Sequence, residues 1–230
     1  MFNFRNYPKI TNIYIGSKVK LLEINFNNMR NLINCDIPFD KLVYMNSAFS
    51  YCYNLKDNPV SKNKVINMSN AYTGCRNLTG SPACGDNVTN MWYTYYNCYN
   101  LTGSPACGDN VTDMLCTYVN CTNLTGSPAC GNNVTDMTST YYNCYNLTGN
   151  PVCKDKVKNM FATYEYCNNL TGFPVCGDNV TDMFNTYKNC YKLTGSPVCG
   201  SNVINMHYTY FGCRNLTGSP VCGNNVTNMR

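Results

Sequence analysis

Apolar residues return along this chain at a fixed interval. Met45, Met68, Met91, Met114, Met137, Met160, Met183, Met206 and Met229 stand 23 residues apart without a slip. A period in the range of about 20–50 residues marks a solenoid, in which each repeat is one coil that cannot bury its apolar face alone. One coil gives the register: Met91 is followed by Tyr95, Cys98, Leu101, Pro105, Cys107 and Val111, and Met114 opens the next. The aromatic position runs from Tyr72 to Tyr210 with Phe49 at its head. Cysteines form two ladders, Cys52 to Cys213 and Cys84 to Cys222, and leucine, proline and valine keep the same step.

One period before Met45 a degenerate coil begins. Leu22 falls at the methionine position, Phe26 at the aromatic and Met29 at the first cysteine, followed by Leu32, Ile37 and Leu42. The expected organisation is therefore an N-terminal capping segment, residues 1–21, and a repeat solenoid, residues 22–230. Its nine coils start at Leu22, Met45, Met68, Met91, Met114, Met137, Met160, Met183 and Met206, with no C-terminal cap. In the first segment Phe2, Phe4, Ile10, Ile13 and Ile15 alternate loosely with polar residues, which suggests strands that cover the open end of the first coil.

Within a coil the periodicity changes once. Met91, Tyr95, Cys98 and Leu101 are spaced like one face of a helix, which predicts a short helical turn. Gly103, Pro105 and Gly108 then break any helix, so the rest should be extended. A short strand near Ala106 or Val111 would pair in register with its neighbours in a parallel stacked sheet. The fold class expected is an α/β solenoid, and at ~4.8 Å between strands nine coils would give a rod of roughly 43 Å.

The run Val88-Thr89-Asn90-Met91, then Tyr95, Cys98 and Leu101, resembles the Val-Thr-Asp-Met…Phe…Cys…Leu run of the BspA-like bacterial surface repeats. These include the repeats of mycoplasma and Listeria-type surface lipoproteins and are a leucine-rich-repeat variety. The resemblance recurs in every coil and implies leucine-rich-repeat-like coils, a surface protein, adhesion to host cells, proteins or matrix, and no catalysis. This chain departs from the family between Leu101 and Val111, which is shorter and carries Gly, Pro and Cys where an isoleucine-rich strand is usual.

Composition narrows the class. Hydrophobic residues at 44% and charged residues at 13% exclude ordinary disorder, and no apolar run approaches the ~20 residues of a membrane span. The opening residues MFNFRNYPKITN lack the long apolar core of a signal peptide. As written the chain reads as cytoplasmic or virion-associated; as an excerpt of a longer protein it reads as cell-surface or extracellular. The 17 cysteines are an odd number, and in-register side chains point the same way rather than at each other, so buried free thiols are expected in place of disulfides. Cys35 and Cys116 lie off the ladders, and Cys116 reads as an exposed thiol. No Cys-x-x-Cys occurs and His207 is the only histidine, so no zinc site is expected.

The remaining polar ladders read first as structure. The tyrosines should be core, with hydroxyls reaching water or a backbone carbonyl. Asn77, Asn100, Asn123, Asn146, Asn169 and Asn215 suit turn backbone, although they and Asn87 also stand in glycosylation sequons. Stacked carboxylates at Asp86 and Asp109, Asp155 and Asp178, and Asp113 and Asp136 are a calcium-type donor set, yet Asn132 and Ser201 interrupt the first row, so solvated turn residues are the expectation. No catalytic set, cofactor site or metal site is expected. The net charge of +5, with Lys154, Lys156 and Lys158 as one local cluster, is too sparse for nucleic acid.

What varies from coil to coil is the set of positions one, two, five and eight after each methionine. These hold Trp92, Tyr93, Tyr96 and Tyr99 in one coil, with Leu115 and Val119 in the next. Tyr142 and Tyr145, then Phe161, Phe184 and Tyr191, and finally His207, Tyr208 and Phe211 follow. On a helical turn most of these would line one stripe beside the buried one, giving an aromatic band of the kind that marks contact surfaces for protein or carbohydrate. The function expected is non-enzymatic recognition or attachment by a rigid rod. The alternative is a structural spacer or fibre segment in a phage or surface assembly, joined end to end or to a neighbouring domain at the uncapped C-terminus. The near-identical coils between Asn77 and Met137 suit that alternative.

Overall fold

The computed structural model of the chain describes residues 7, 9–20, 22–56, 64–82 and 84–229. The chain winds into 23-residue coils laid on one another in parallel, a periodic arrangement compatible with a repeat solenoid. Strand β1 (Asn12–Tyr14) pairs in parallel with β2 (Asn34–Asp36) as a two-stranded sheet. Beyond it the coils are joined by single parallel bridges, from Glu23–Tyr44 through Asn90–Asp113 to Asn205–Asn228. Val175, Val198 and Val221 add a second line of bridges in the last coils, at the position that Ala106 holds in its own coil.

The helical turn is absent. Among the described residues there is no α-helix, and the one helical element is the 3-10 turn Phe39–Lys41. The cause is a division of labour among backbone amides. In the coil of Met91, the N–H groups of Met91, Tyr93, Tyr95 and Asn97 donate to carbonyls of the next coil, Asp113, Leu115, Thr117 and Val119. The amides between them turn back on their own coil: Thr94 to Met91, Tyr96 to Tyr93 and Cys98 to Tyr95. A helix needs every amide for its own i−4 carbonyl, and here alternate amides are committed to the neighbour. This geometry requires left-handed backbone two and six residues after each methionine, with φ of 54° at Tyr93 and 61° at Asn97. Asparagine or glycine holds most of the second positions, as the left-handed region favours.

Two further lines of hydrogen bonds run in the opposite sense. Thr102 N–H donates to Gly80 of the preceding coil and Thr112 N–H to Thr89, and both lines continue along the stack. All three legs of the coil are therefore tied to neighbours, which satisfies backbone that lacks regular secondary structure.

The four-three-three spacing still serves burial. Met91, Tyr95, Cys98, Leu101 and Val111 are fully buried, as are their counterparts through most of the stack. The first coil corrects the register: Leu22 is 68% exposed, and Ile24 fills the methionine slot two residues later, with Phe26, Met29, Leu32 and Leu42 as expected. In the N-terminal segment Ile13 is buried and Ile10 and Ile15 pack against the core; Phe2 and Phe4 lie outside the described residues.

Candidate functional site

The inner ladders show why particular polar residues are built into the core. Tyrosine rings stack nearly parallel, with centroids 5.4 Å apart for Tyr72–Tyr95 and 5.5 Å for Tyr95–Tyr118. Their hydroxyls reach back to the extended leg of the preceding coil. Tyr118 donates to the Ala106 carbonyl at 2.6 Å and accepts from the Ala106 amide at 3.2 Å; Tyr141 does the same with Ala129. Each first-ladder thiol donates to the carbonyl of the aromatic residue one coil back, Cys98 to Tyr72 at 3.1 Å and Cys121 to Tyr95 at 3.0 Å. Burial pushes the Cys98, Cys144 and Cys190 thiols well above their ordinary value and the buried tyrosines likewise. Among the described residues no two cysteines form a disulfide.

Sequence reading missed a third inner ladder. Thr94, Thr117, Thr140, Thr163, Thr186 and Thr209 are buried, with Ala48 and Ala71 in the same slot of earlier coils. The Thr117 hydroxyl shares its one hydrogen between the carbonyls of Met114 at 2.8 Å and Met91 at 2.9 Å, which ties the start of one coil to the last. Its signal was in the sequence: a small residue three places after each ladder methionine from Met45 to Met206, threonine in six coils running.

The second cysteine ladder differs from the expectation of a buried row. Cys84, Cys107, Cys130, Cys153, Cys176, Cys199 and Cys222 are half-buried, and the Cys107 sulfur accepts from the Gly131 amide at 3.2 Å. Cys116 is half-buried as well, and its thiol beside the Tyr93 hydroxyl holds that phenol up to about 12. The carboxylates of Asp113 and Asp136 cap the amides of Leu115 and Thr138 at 2.9 and 2.8 Å, the role asparagine plays at Asn90 and Asn159. Among the described residues no group of three or more His, Cys, Asp or Glu is placed to hold a metal ion. Sequon amides are engaged too: Asn100 donates to Asn77, Asn123 to Asn100, and Asn146 to the Thr122 carbonyl at 2.9 Å.

The outer aromatic residues fall into two clusters. In the fourth coil Trp92 meets Tyr93 at 5.6 Å, and Tyr93 meets Tyr96 at 5.1 Å. Near the C-terminal end Phe161 stacks on Phe184 at 5.0 Å and Phe184 on His207 at 5.5 Å, while Tyr208 bridges His207 and Phe211. Between the clusters stand Leu115, Thr138, Val119 and Tyr142, the last against Tyr166. Trp92, Tyr145, Phe161, Tyr191 and Phe211 are exposed, Phe211 the most at 59%. Tyr93, Tyr96, Tyr99, Tyr142, Phe184, His207 and Tyr208 are half-buried.

Without a helix, position eight separates from the rest. Tyr145 stands in an outer row of its own with Tyr99 and Tyr191, where arginines pack instead: Arg30 and Arg76 flank the Tyr53 ring at 5.3 and 4.9 Å, and Arg214 covers Tyr191 at 5.3 Å. Among the described residues no ring contact joins Tyr99, Tyr145 or Tyr191 to the two clusters. Beside the C-terminal cluster, Lys188 pairs with buried Glu165 at 3.0 Å and lies 5.9 Å from the Tyr208 ring.

Tyr93 and Tyr208 hold left-handed backbone, φ 54° and 56°, at a position where other coils use the smaller Ser47, Asn70, Cys116, Ser139, Ala162 or Asn185. A bulky residue there carries a backbone cost of about 1–2 kcal/mol. No family model matches the chain, and no curated protein or solved structure matches it either.

Proposed function

We propose that the chain is a BspA-like, leucine-rich-repeat-type recognition or attachment rod that binds a protein or glycan surface through its aromatic clusters and catalyses nothing. The observation that carries this reading is the placement of the outer rings. Coil after coil can bury an aromatic inside, as the tyrosine ladder does, yet Trp92, Phe161 and Phe211 remain exposed beside half-buried partners. Exposed aromatic groups ringed by packed neighbours are the anchor type enriched at interfaces. The hydrogen-bonded stack behind the rings supplies a rigid support, so binding orders few groups.

The test is an array of cell-surface proteins and glycans, probed with the chain and with a Trp92→Ser/Tyr96→Ser/Phe211→Ser variant that keeps its circular dichroism. Binding by the chain and loss in the variant is expected. Equal binding by both would remove the clusters from the site. Silence from both would favour the spacer reading, which the near-identical coils from Asn77 to Met137 support.

A further inference from the structure

A second surface lies on the neighbouring leg of the coil, just before each methionine instead of after it. Two grooves there follow the same two residue rows along the stack. One, of about 720 Å³, is lined by Asn87, Asn110 and Asn133 and by Thr89 and Thr112, and at one end Lys64 continues the asparagine row while Ile66 and Val43 continue the threonine row. The other, of about 500 Å³, continues the rows with Asn179, Asn202 and Asn225 on one side and Lys158, Thr181, Ile204 and Thr227 on the other.

Polar groups of these rows are arranged in one repeating way. The Thr112 hydroxyl donates its hydrogen to the Thr89 carbonyl and the Thr135 hydroxyl to that of Thr112, both at 3.2 Å; Thr181 repeats this on Lys158. Each such oxygen is left with its lone pairs as an acceptor. The Asn110 and Asn133 amides each donate to the preceding coil, at 2.8 Å to the carbonyls of Asp86 and Asp109, and Asn179 and Asn202 do likewise. Each amide has a second hydrogen beyond that bond. The backbone of the threonine row is closed against strand addition by a peptide, since Thr112 N–H is bonded to Thr89 and Thr135 N–H to Thr112.

We propose that these grooves bind a linear, neutral polysaccharide, with successive sugar units meeting successive coils. Three consecutive rungs are alike, Asn87 with Thr89, Asn110 with Thr112 and Asn133 with Thr135, and a ligand able to use them all must itself repeat along its length. It must be rich in hydroxyls, which both donate and accept, to match threonine oxygens left as acceptors and asparagine amides left with a hydrogen, and it has no need of charge where the lining carries no carboxylate and a single lysine at one end. A polysaccharide chain has all three properties. This site does not depend on the aromatic clusters.

The experiment is isothermal titration of the intact chain with cellohexaose, chitohexaose and mannohexaose, with glucose and heparin as controls. At least one hexasaccharide should bind, with affinity rising with oligomer length and no measurable binding of glucose. A Thr112→Val/Thr181→Val variant should weaken binding about tenfold or more, and Thr112→Ser/Thr181→Ser, which restores the hydroxyls, should recover most of it. The Trp92→Ser/Tyr96→Ser/Phe211→Ser variant should bind the oligosaccharide normally while losing its array partner. Binding of heparin alone, absence of binding to every neutral hexasaccharide, or loss in the aromatic variant with none in the valine variant would each overturn the proposal.

Discussion

Alkali should unfold this protein over a narrow interval, to which the first cysteine ladder contributes most directly, with the second-ladder thiols and buried tyrosines, also raised by burial, acting in the same direction. Eight thiols, from Cys52 to Cys213, each donate to a carbonyl one coil back, and burial raises all of them above the ordinary value of 9.0. Below pH 9 folded and unfolded chains hold these protons alike, and the full stability is present. Above it the unfolded chain releases them while the folded chain keeps them, so stability falls as pH rises towards the folded values. Each proton is worth about 1.4 kcal/mol per pH unit, so eight thiols remove on the order of 11 kcal/mol by pH 10. That matches the whole stability of a typical domain, about 5–15 kcal/mol. Circular dichroism against pH, in the presence of a reductant, should show one cooperative transition between about pH 9 and pH 10.5 that reverses on neutralisation, with thiolate absorbance rising in the same step. A chain still folded at pH 11, or thiolate absorbance that rises before the fold is lost, would refute the ladder as a set of buried hydrogen-bonded thiols.

Other consequences are local. Tyr93→Asn should stabilise the fold by about 0.5–1 kcal/mol in urea denaturation, by relieving left-handed backbone, while weakening array binding; loss of both stability and binding would contradict a strained functional position. Gly131→Ala places a Cβ 2.2 Å from the Gly108 carbonyl oxygen, whereas Gly16 has nothing within 4 Å. The first should cost about 1–3 kcal/mol and Gly16→Ala almost nothing, read from melting curves. Thr117→Val removes a hydroxyl that serves two carbonyls and should cost about 1–2 kcal/mol; Tyr141→Phe should cost a similar amount and speed amide exchange at Ala129, whose N–H loses its partner.

How far the sequence carried depends on the kind of interaction. Periodicity reports which side chains face inward, and it placed the methionine, tyrosine, first cysteine and leucine rows in the core. It does not report which neighbour an amide chooses. The same four-three-three spacing that places Tyr95 and Cys98 inside is met by a helix or by a row of turns, and only the left-handed residues at Tyr93 and Asn97 separate the two. The recurring asparagines at Asn97, Asn120, Asn143 and Asn189 carried that information, since asparagine tolerates left-handed backbone. Leu22 was misplaced because a two-residue shift in a degenerate coil leaves an apolar residue at either position; parallel pairing of Glu23 with Tyr44 is what selects Ile24. Variability from coil to coil points to the aromatic residues as an outer band, of which Trp92, Tyr145, Phe161, Tyr191 and Phe211 are exposed and the rest half-buried; their division into two clusters and a separate tyrosine–arginine row depends on coil geometry that the spacing does not contain.

The central claim is that the outer rings are the contact surface of the rod. Hydroxyl-radical footprinting of the chain, free and bound to the surface partner found on the array, reads that surface directly. Oxidation of Trp92, Phe161 and Phe211 should slow severalfold on binding, while Phe173, 61% exposed on another leg of its coil, should react as before. Protection of Phe173 with no change at the three rings would contradict the account.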